Sequence, residues 1–163
     1  MKLNWRESLT PALKMAASLV ILGIGSPLNS DDAAGMMIIE QLTQHNPQQK
    51  QVLLIAGSSA PENFSGVISD FAPSLLLVID AARLGLKPGQ VALLEEEELD
   101  GLGFSTHMLP FSIMLNYLKR RGLTNALLLG IEPQSTDFGL EVSVPVAQAV
   151  RQIADFLALN ILR

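Results

Sequence analysis

Three short, unbroken apolar runs constrain this chain more than anything else in it: Ser18–Ile24 (SLVILGI), Ser74–Ile79 (SLLLVI) and Thr124–Ile131 (TNALLLGI). A strand with one wet face alternates apolar and polar residues, and these runs leave no position for such a face. They read as strands buried on both sides, as in a parallel sheet covered above and below. Parallel neighbours need long crossovers, and helical spacing fills the stretches between the runs. Met36, Met37, Ile39 and Leu42 share a stripe between Asp32 and His45. Phe111, Met114, Leu115 and Leu118 do so between Pro110 and Arg121, and Val146, Val150, Ile153 and Leu157 between Pro145 and Leu162.

The remaining segments complete the pattern. Gln51–Ala56 reads as a second strand, and Pro61–Phe71 as a short helix that Pro73 ends. Leu86-Lys87-Pro88-Gly89 is a turn signal followed by a strand at Gln90–Leu94. Too few residues separate that strand from Ser74–Ile79 for a helical crossover, so it is expected to run antiparallel, at an edge. Thr10-Pro11 reads as an N-cap with Pro at the first helical position, which predicts a short helix over Pro11–Ala17 with Trp5 and Leu9 packed beside it. The fold class expected is α/β, a three-layer sandwich: a mostly parallel twisted sheet of about five strands, one antiparallel edge strand, and helices on both faces. Residues 1–163 form one domain on this reading, with 1–17 as a helical N-terminal extension.

Composition narrows the function classes. The net charge is −5, and no lysine or arginine stripe occurs, which argues against nucleic acid as partner. The absence of cysteine excludes disulfides and thiolate metal sites, so a metal would have to use oxygen and imidazole ligands. It also suits the cytosol, and a cytoplasmic location is expected. Lys2, Arg6 and Lys14 precede the apolar Ala16–Leu22 in the manner of a secretory signal, but the apolar core is short, and Pro27 and two aspartates follow it. At about 10 residues it is too short to cross a bilayer, so a buried strand is the better reading and no membrane insertion is expected.

Ligands of open α/β sheets bind beyond the carboxyl ends of the strands. Asp31 and Asp32 follow the first run, Asp80 follows the third, and His107 sits in the segment leading to the helix at Pro110. Each has an ordinary explanation: an aspartate can cap a helix or form a turn, and a histidine can be a satisfied loop residue. Their convergence on one edge weighs more, since two carboxylates and one imidazole suit a divalent first-row cation. The acidic run Glu95–Glu98 reads as a solvated connection. A dinucleotide fingerprint starting at Gly23 fails, because Leu28 stands where its third glycine belongs and Pro27 lacks the N–H a pyrophosphate would want. A receiver-like signalling domain also pairs such acids, but needs a lysine beyond the last strand, where this chain reads Gly130-Ile131-Glu132-Pro133. Neither a His-Glu-x-x-His helix nor a Gly-x-Ser-x-Gly elbow occurs.

Five stretches carry a family resemblance: GIGSPLNSDDAAG (Gly23–Gly35), GSSAPEN (Gly57–Asn63), LLLVIDAARLGLKPGQV (Leu75–Val91), STHMLPFSIMLNYL (Ser105–Leu118) and LLLGIEPQSTDFGLEVSVPV (Leu127–Val146). In these the chain resembles the endopeptidases that mature nickel–iron hydrogenases, nearest the branch serving formate-hydrogenlyase-type (hydrogenase 3-like) enzymes. The resemblance implies an endopeptidase that removes the C-terminal extension of a hydrogenase large-subunit precursor after nickel insertion. It further implies that Asp32, Asp80 and His107 are the catalytic and metal-ligating residues. The nickel would arrive with the precursor, leaving the free enzyme metal-free. Departures are Ser26 for the turn's asparagine, Ala33 for a frequent glycine, and Ala56-Gly57-Ser58 where the family usually has Asp-Gly-Gly. The last removes a carboxylate and adds a Cβ to a loop suited to glycine's positive φ. These departures keep a second reading open: a non-catalytic, chaperone-like binder of the nickel-loaded precursor.

Overall fold

The computed structural model describes residues 1–45, 51–101 and 108–161. Its centre is a five-stranded sheet in the order β2-β1-β3-β5-β4. The strands are β1 (Leu19–Ile24), β2 (Val52–Ser58), β3 (Leu75–Ala81), β4 (Val91–Glu95) and β5 (Ala126–Ile131). The first three apolar runs are β1, β3 and β5, and they lie side by side in parallel. β2 joins them in parallel on one edge, and β4 pairs antiparallel with β5 on the other, as the short connection required.

The two-fold periodicity of a strand sorts the runs into two cores. Leu19, Ile21, Leu75, Leu77, Ile79, Leu129 and Ile131 face the layer made by α1 (Trp5–Met15), α2 (Ala34–Gln44) and α5 (Val144–Ile161). Val20, Leu22, Ile24, Leu76, Val78 and Leu128 face α3 (Ser65–Phe71) and α4 (Met108–Arg120). Every residue of β1 and β3 is buried, which explains why neither run tolerates a polar alternation.

The start of the chain departs from the sequence expectation. α1 begins at Trp5 and carries Pro11 inside it, and Thr10 caps nothing; its Oγ1 donates to the Arg6 carbonyl at 2.7 Å. Trp5, Leu9 and Leu13 recur every fourth residue and are buried. Burying such side chains contributes roughly 1.5–3 kcal/mol each, so the three together exceed the ~3 kcal/mol that an interior proline costs a helix. Trp5 meets the Phe156 ring edge-on at 5.0 Å, and the Arg6 guanidinium stacks 4.4 Å from the Trp5 ring centre. The extension is therefore part of the α2/α5 layer.

Two smaller boundaries also move. The ladder with β5 continues through Asp80↔Gly130 and Ala81↔Ile131, so Asp80 is the penultimate residue of β3 rather than the residue after it. The acidic run becomes the end of β4 and a 3₁₀ helix at Glu96–Gly101, and it is tied by ion pairs from Glu95 to Lys2, from Glu96 to Lys119, and from Glu98 to the chain's amino group. Among the described residues, no helix is long and apolar enough to cross a membrane.

Candidate functional site

β1 is followed by Gly25, whose φ of +128° is strained for any residue with a side chain; a Cβ there would lie 1.8 Å from the Asp32 carbonyl oxygen. That tight reversal folds the chain back so that the Ser26 N–H donates to Asp32 Oδ2 at 2.7 Å and the Asp32 N–H donates to the Asn29 carbonyl at 3.0 Å. Asp32 sits in a 3₁₀ helix, Ser30–Ala33, and is 4% exposed. Gly35, just beyond, lets the start of α2 rest directly on the sheet: a Cβ would stand 2.4 Å from the Ile79 carbonyl and 2.5 Å from that of Ile24. The turn bearing Asp32 is thereby pressed against the ends of both β1 and β3. Asp80, fully buried, follows Ile79 on β3. Asp32 and Asp80 therefore occupy the carboxyl ends of adjacent parallel strands.

His107, the third residue expected here, lies outside the described residues; α4 begins at Met108. Among the described residues, no group of three His, Asp or Glu side chains is placed to hold a metal ion.

The two neighbouring acids have separate jobs, and neither side chain caps a helix. Asp31 is fully buried, and its carboxylate accepts four hydrogen bonds. Oδ2 takes the N–H groups of Gln134 (2.7 Å) and Ser135 (3.2 Å) and the Ser143 hydroxyl (2.9 Å), and Oδ1 takes the Ser143 N–H (2.7 Å). All four donors come from the segment joining β5 to α5, so Asp31 fastens that segment beside Asp32. The Ser30 hydroxyl adds a bond to the Glu141 carbonyl at 2.8 Å.

Glu132, a residue to which sequence reasoning assigned no role, does the same on the other flank. It is buried directly after β5, and its Oε2 accepts from the N–H groups of Leu84 (2.6 Å) and Leu86 (3.1 Å). Its partners lie 48 and 46 positions away, so no local pattern announces the role.

A groove of about 680 Å³ opens next to Asp32, lined by Pro27, Ala33, Met36, Glu40, Ala56 and Val142 among others. Its wall is mainly apolar and it draws on the loops after β1 and β5 together with α2, which suits an extended polypeptide more than a compact polar ligand. Ala56 contributes a methyl group where the resemblance leads one to expect a carboxylate. β2 runs two residues past the expected end at Ala56, and its last residue, Ser58, has φ of +53°, a backbone suited to glycine that here bears a side chain. A second cavity, about 460 Å³, lies at the opposite end of the sheet against Ser74, Asn125 and Glu96.

A family described as HycI, hydrogenase maturation protease, matches residues 36–159. The hydrogenase 3 maturation protease of Escherichia coli strain K12 is 30% identical over 135 residues, covering 82% of this chain and 85% of that protein. The crystal structure of a NiFe hydrogenase maturation protease, HycI, from Thermococcus kodakarensis KOD1 superposes with a TM-score of 0.86 at 28% identity, over 96% of this chain and 99% of that one. The solution structure of the endopeptidase HycI from Escherichia coli gives 0.73 at 26% identity, over 85% and 87%. This chain therefore belongs to the hydrogenase maturation protease family.

Proposed function

We propose that this protein is an endopeptidase that removes a C-terminal extension from the large-subunit precursor of a nickel–iron hydrogenase once nickel has been inserted. The single observation that carries the reading furthest is the burial of Asp32 and Asp80 at the carboxyl edge of adjacent strands, with a mainly apolar groove of about 680 Å³ that starts at Ala33, the residue after Asp32. In a cysteine-free chain, carboxylate oxygen with imidazole is the donor set left for a borderline cation such as nickel. The precursor brings the metal as part of the substrate; Asp32, Asp80 and His107 would complete its coordination and so register the tail against the enzyme. Bound nickel supplies a positive charge that polarises a nearby carbonyl or acidifies a water.

The chain's own part is positioning and proton transfer. The groove holds the segment around the scissile bond in place, so that hydrolysis gains from proximity. An aspartate takes a proton from the attacking water as its oxygen bonds to the carbonyl carbon, then returns that proton to the nitrogen as the C–N bond breaks. The products are a new carboxylate on the large subunit and a free amine on the released tail. Ser26 N–H keeps Asp32 oriented for this role through its 2.7 Å bond.

The test is incubation with nickel-loaded and nickel-free precursor, followed by intact-mass measurement. Loss of the tail from the loaded form alone is the expected result. Stable complex formation with no change in mass would replace the protease reading by that of a binder, which the substitution of Ala56 for a carboxylate favours.

A further inference from the structure

The segment between β5 and α5, residues 132–143, is a long surface loop with an unusual distribution of apolar side chains. Loops of this length that are tightly held carry out a function or bury apolar side chains of their own. This one is fastened by the fully buried Asp31 carboxylate and by Ser30, yet it turns its largest apolar side chains outward. Phe138 is 76% exposed, Leu140 55% and Val144, at the start of α5, 71%. Leu28, 63% exposed, joins them from the loop after β1, because the Gly139 N–H donates to the Leu28 carbonyl at 2.9 Å. Scattered exposed apolar residues need no explanation, but here four lie on two neighbouring segments tied to each other by that bond and by the bonds to Asp31 and Ser30, a rim that suits an interaction surface. The charged residues among them, Asp137 and Glu141, are acids, and no lysine, arginine or histidine occurs in residues 24–33 or 132–146.

We infer that this rim is the docking surface for the folded body of the precursor, which meets it with an apolar patch bordered by lysine or arginine. The inference rests on the protease reading above and adds the place where the substrate is gripped. The rim is continuous with the candidate site: Val142 also lines the groove, and the acid that holds the loop is the immediate neighbour of Asp32. The body of the substrate is thus seated at a fixed offset from the carboxylates, while its tail enters the groove. A grip of this kind changes affinity without touching the reacting atoms.

The experiment compares wild type, the double variant Phe138→Ser/Leu140→Ser and the single variant Glu141→Lys. Binding to nickel-loaded precursor is read by interferometry at low and high salt, and tail release by steady-state kinetics. Both sets of side chains are exposed, so folding should survive, and circular dichroism checks it. The double variant should bind roughly 10-fold or more weakly and raise KM by the same factor with kcat unchanged. Glu141→Lys should slow association and flatten its salt dependence. If wild type cuts the precursor and both variants match it in KM and affinity, this proposal falls and the protease reading stands. If wild type neither binds nor cuts, both fall. A wild type that self-associates through Phe138, with the double variant monomeric, would assign the rim to a second copy and overturn the proposal.

Discussion

Where β1, β3 and β5 finish, Asp31, Asp32, Asp80 and Glu132 are all buried, whereas at the opposite end of the sheet Glu95, Glu96 and Glu98 keep between 31% and 50% of their side-chain surface in water. The two ends satisfy negative charge by different means. Exposed glutamates lean on flexible cations, Lys2 and Lys119, in pairs typically worth ~0–1 kcal/mol and weakened by salt. Buried Asp31 and Glu132 are met by main-chain N–H groups that the fold holds in place, and charge-assisted bonds of that sort contribute about 1.5–3 kcal/mol each. The buried acids divide the labour: Asp31 and Glu132 fasten the neighbouring segments, and Asp32 and Asp80 lie at the carboxyl edge of the sheet.

Substitutions at the two ends of the sheet should differ widely in effect. Asp32→Asn keeps a carbonyl to accept the Ser26 N–H, so stability should change by less than about 1 kcal/mol while tail release falls by roughly 100-fold or more. His107→Ala should behave alike, folded and inactive; normal processing by either variant removes that residue from the mechanism. Asp31→Ala strands four donors, two of them on Ser143, and should cost ~3–5 kcal/mol in urea unfolding. A loss under about 1 kcal/mol would mean that the segment joining β5 to α5 does not depend on Asp31.

Ser58→Gly relieves a side chain at φ +53° and should raise stability by about 0.5–1 kcal/mol, seen as a higher urea midpoint. The smallest change belongs to the exposed end. The hydrogen bond from Lys2, with its charge, holds the Glu95 carboxyl below the usual range. A lowered folded-state value contributes stability above the ordinary carboxylate range and loses it as pH falls through the lowered value. Lys2→Ala should therefore move the Glu95 titration, followed by NMR, back up toward ordinary carboxylates, with little effect on the unfolding midpoint at neutral pH.

The sheet was legible because its central strands are buried on both faces, which writes itself into a sequence as runs without polar interruption. The antiparallel edge was legible from chain length alone, since the residues between β3 and β4 cannot form a crossover. The start of α1 was not, because Thr10-Pro11 has the local form of a helix beginning; the four-residue spacing of Trp5, Leu9 and Leu13 was the stronger signal. At the site, the sequence placed Asp32 and Asp80 on the correct edge, yet it offered capping as the ordinary role for an acid at that turn. The actual role of Asp31 depends on donors at 134, 135 and 143, more than a hundred positions away, where periodicity carries no information.

The bridge between Lys2 and Leu93 has a consequence for how molecules of this protein meet one another. Lys2 donates its N–H to the Leu93 carbonyl at 2.8 Å and accepts the Leu93 N–H at 3.0 Å, which occupies the middle of β4 on its outer side. An outermost strand with open hydrogen-bonding groups invites strand-to-strand stacking between copies. Here a neighbour approaching from that side must first peel away the opening residues, and the lysine among them adds a charge to the barrier.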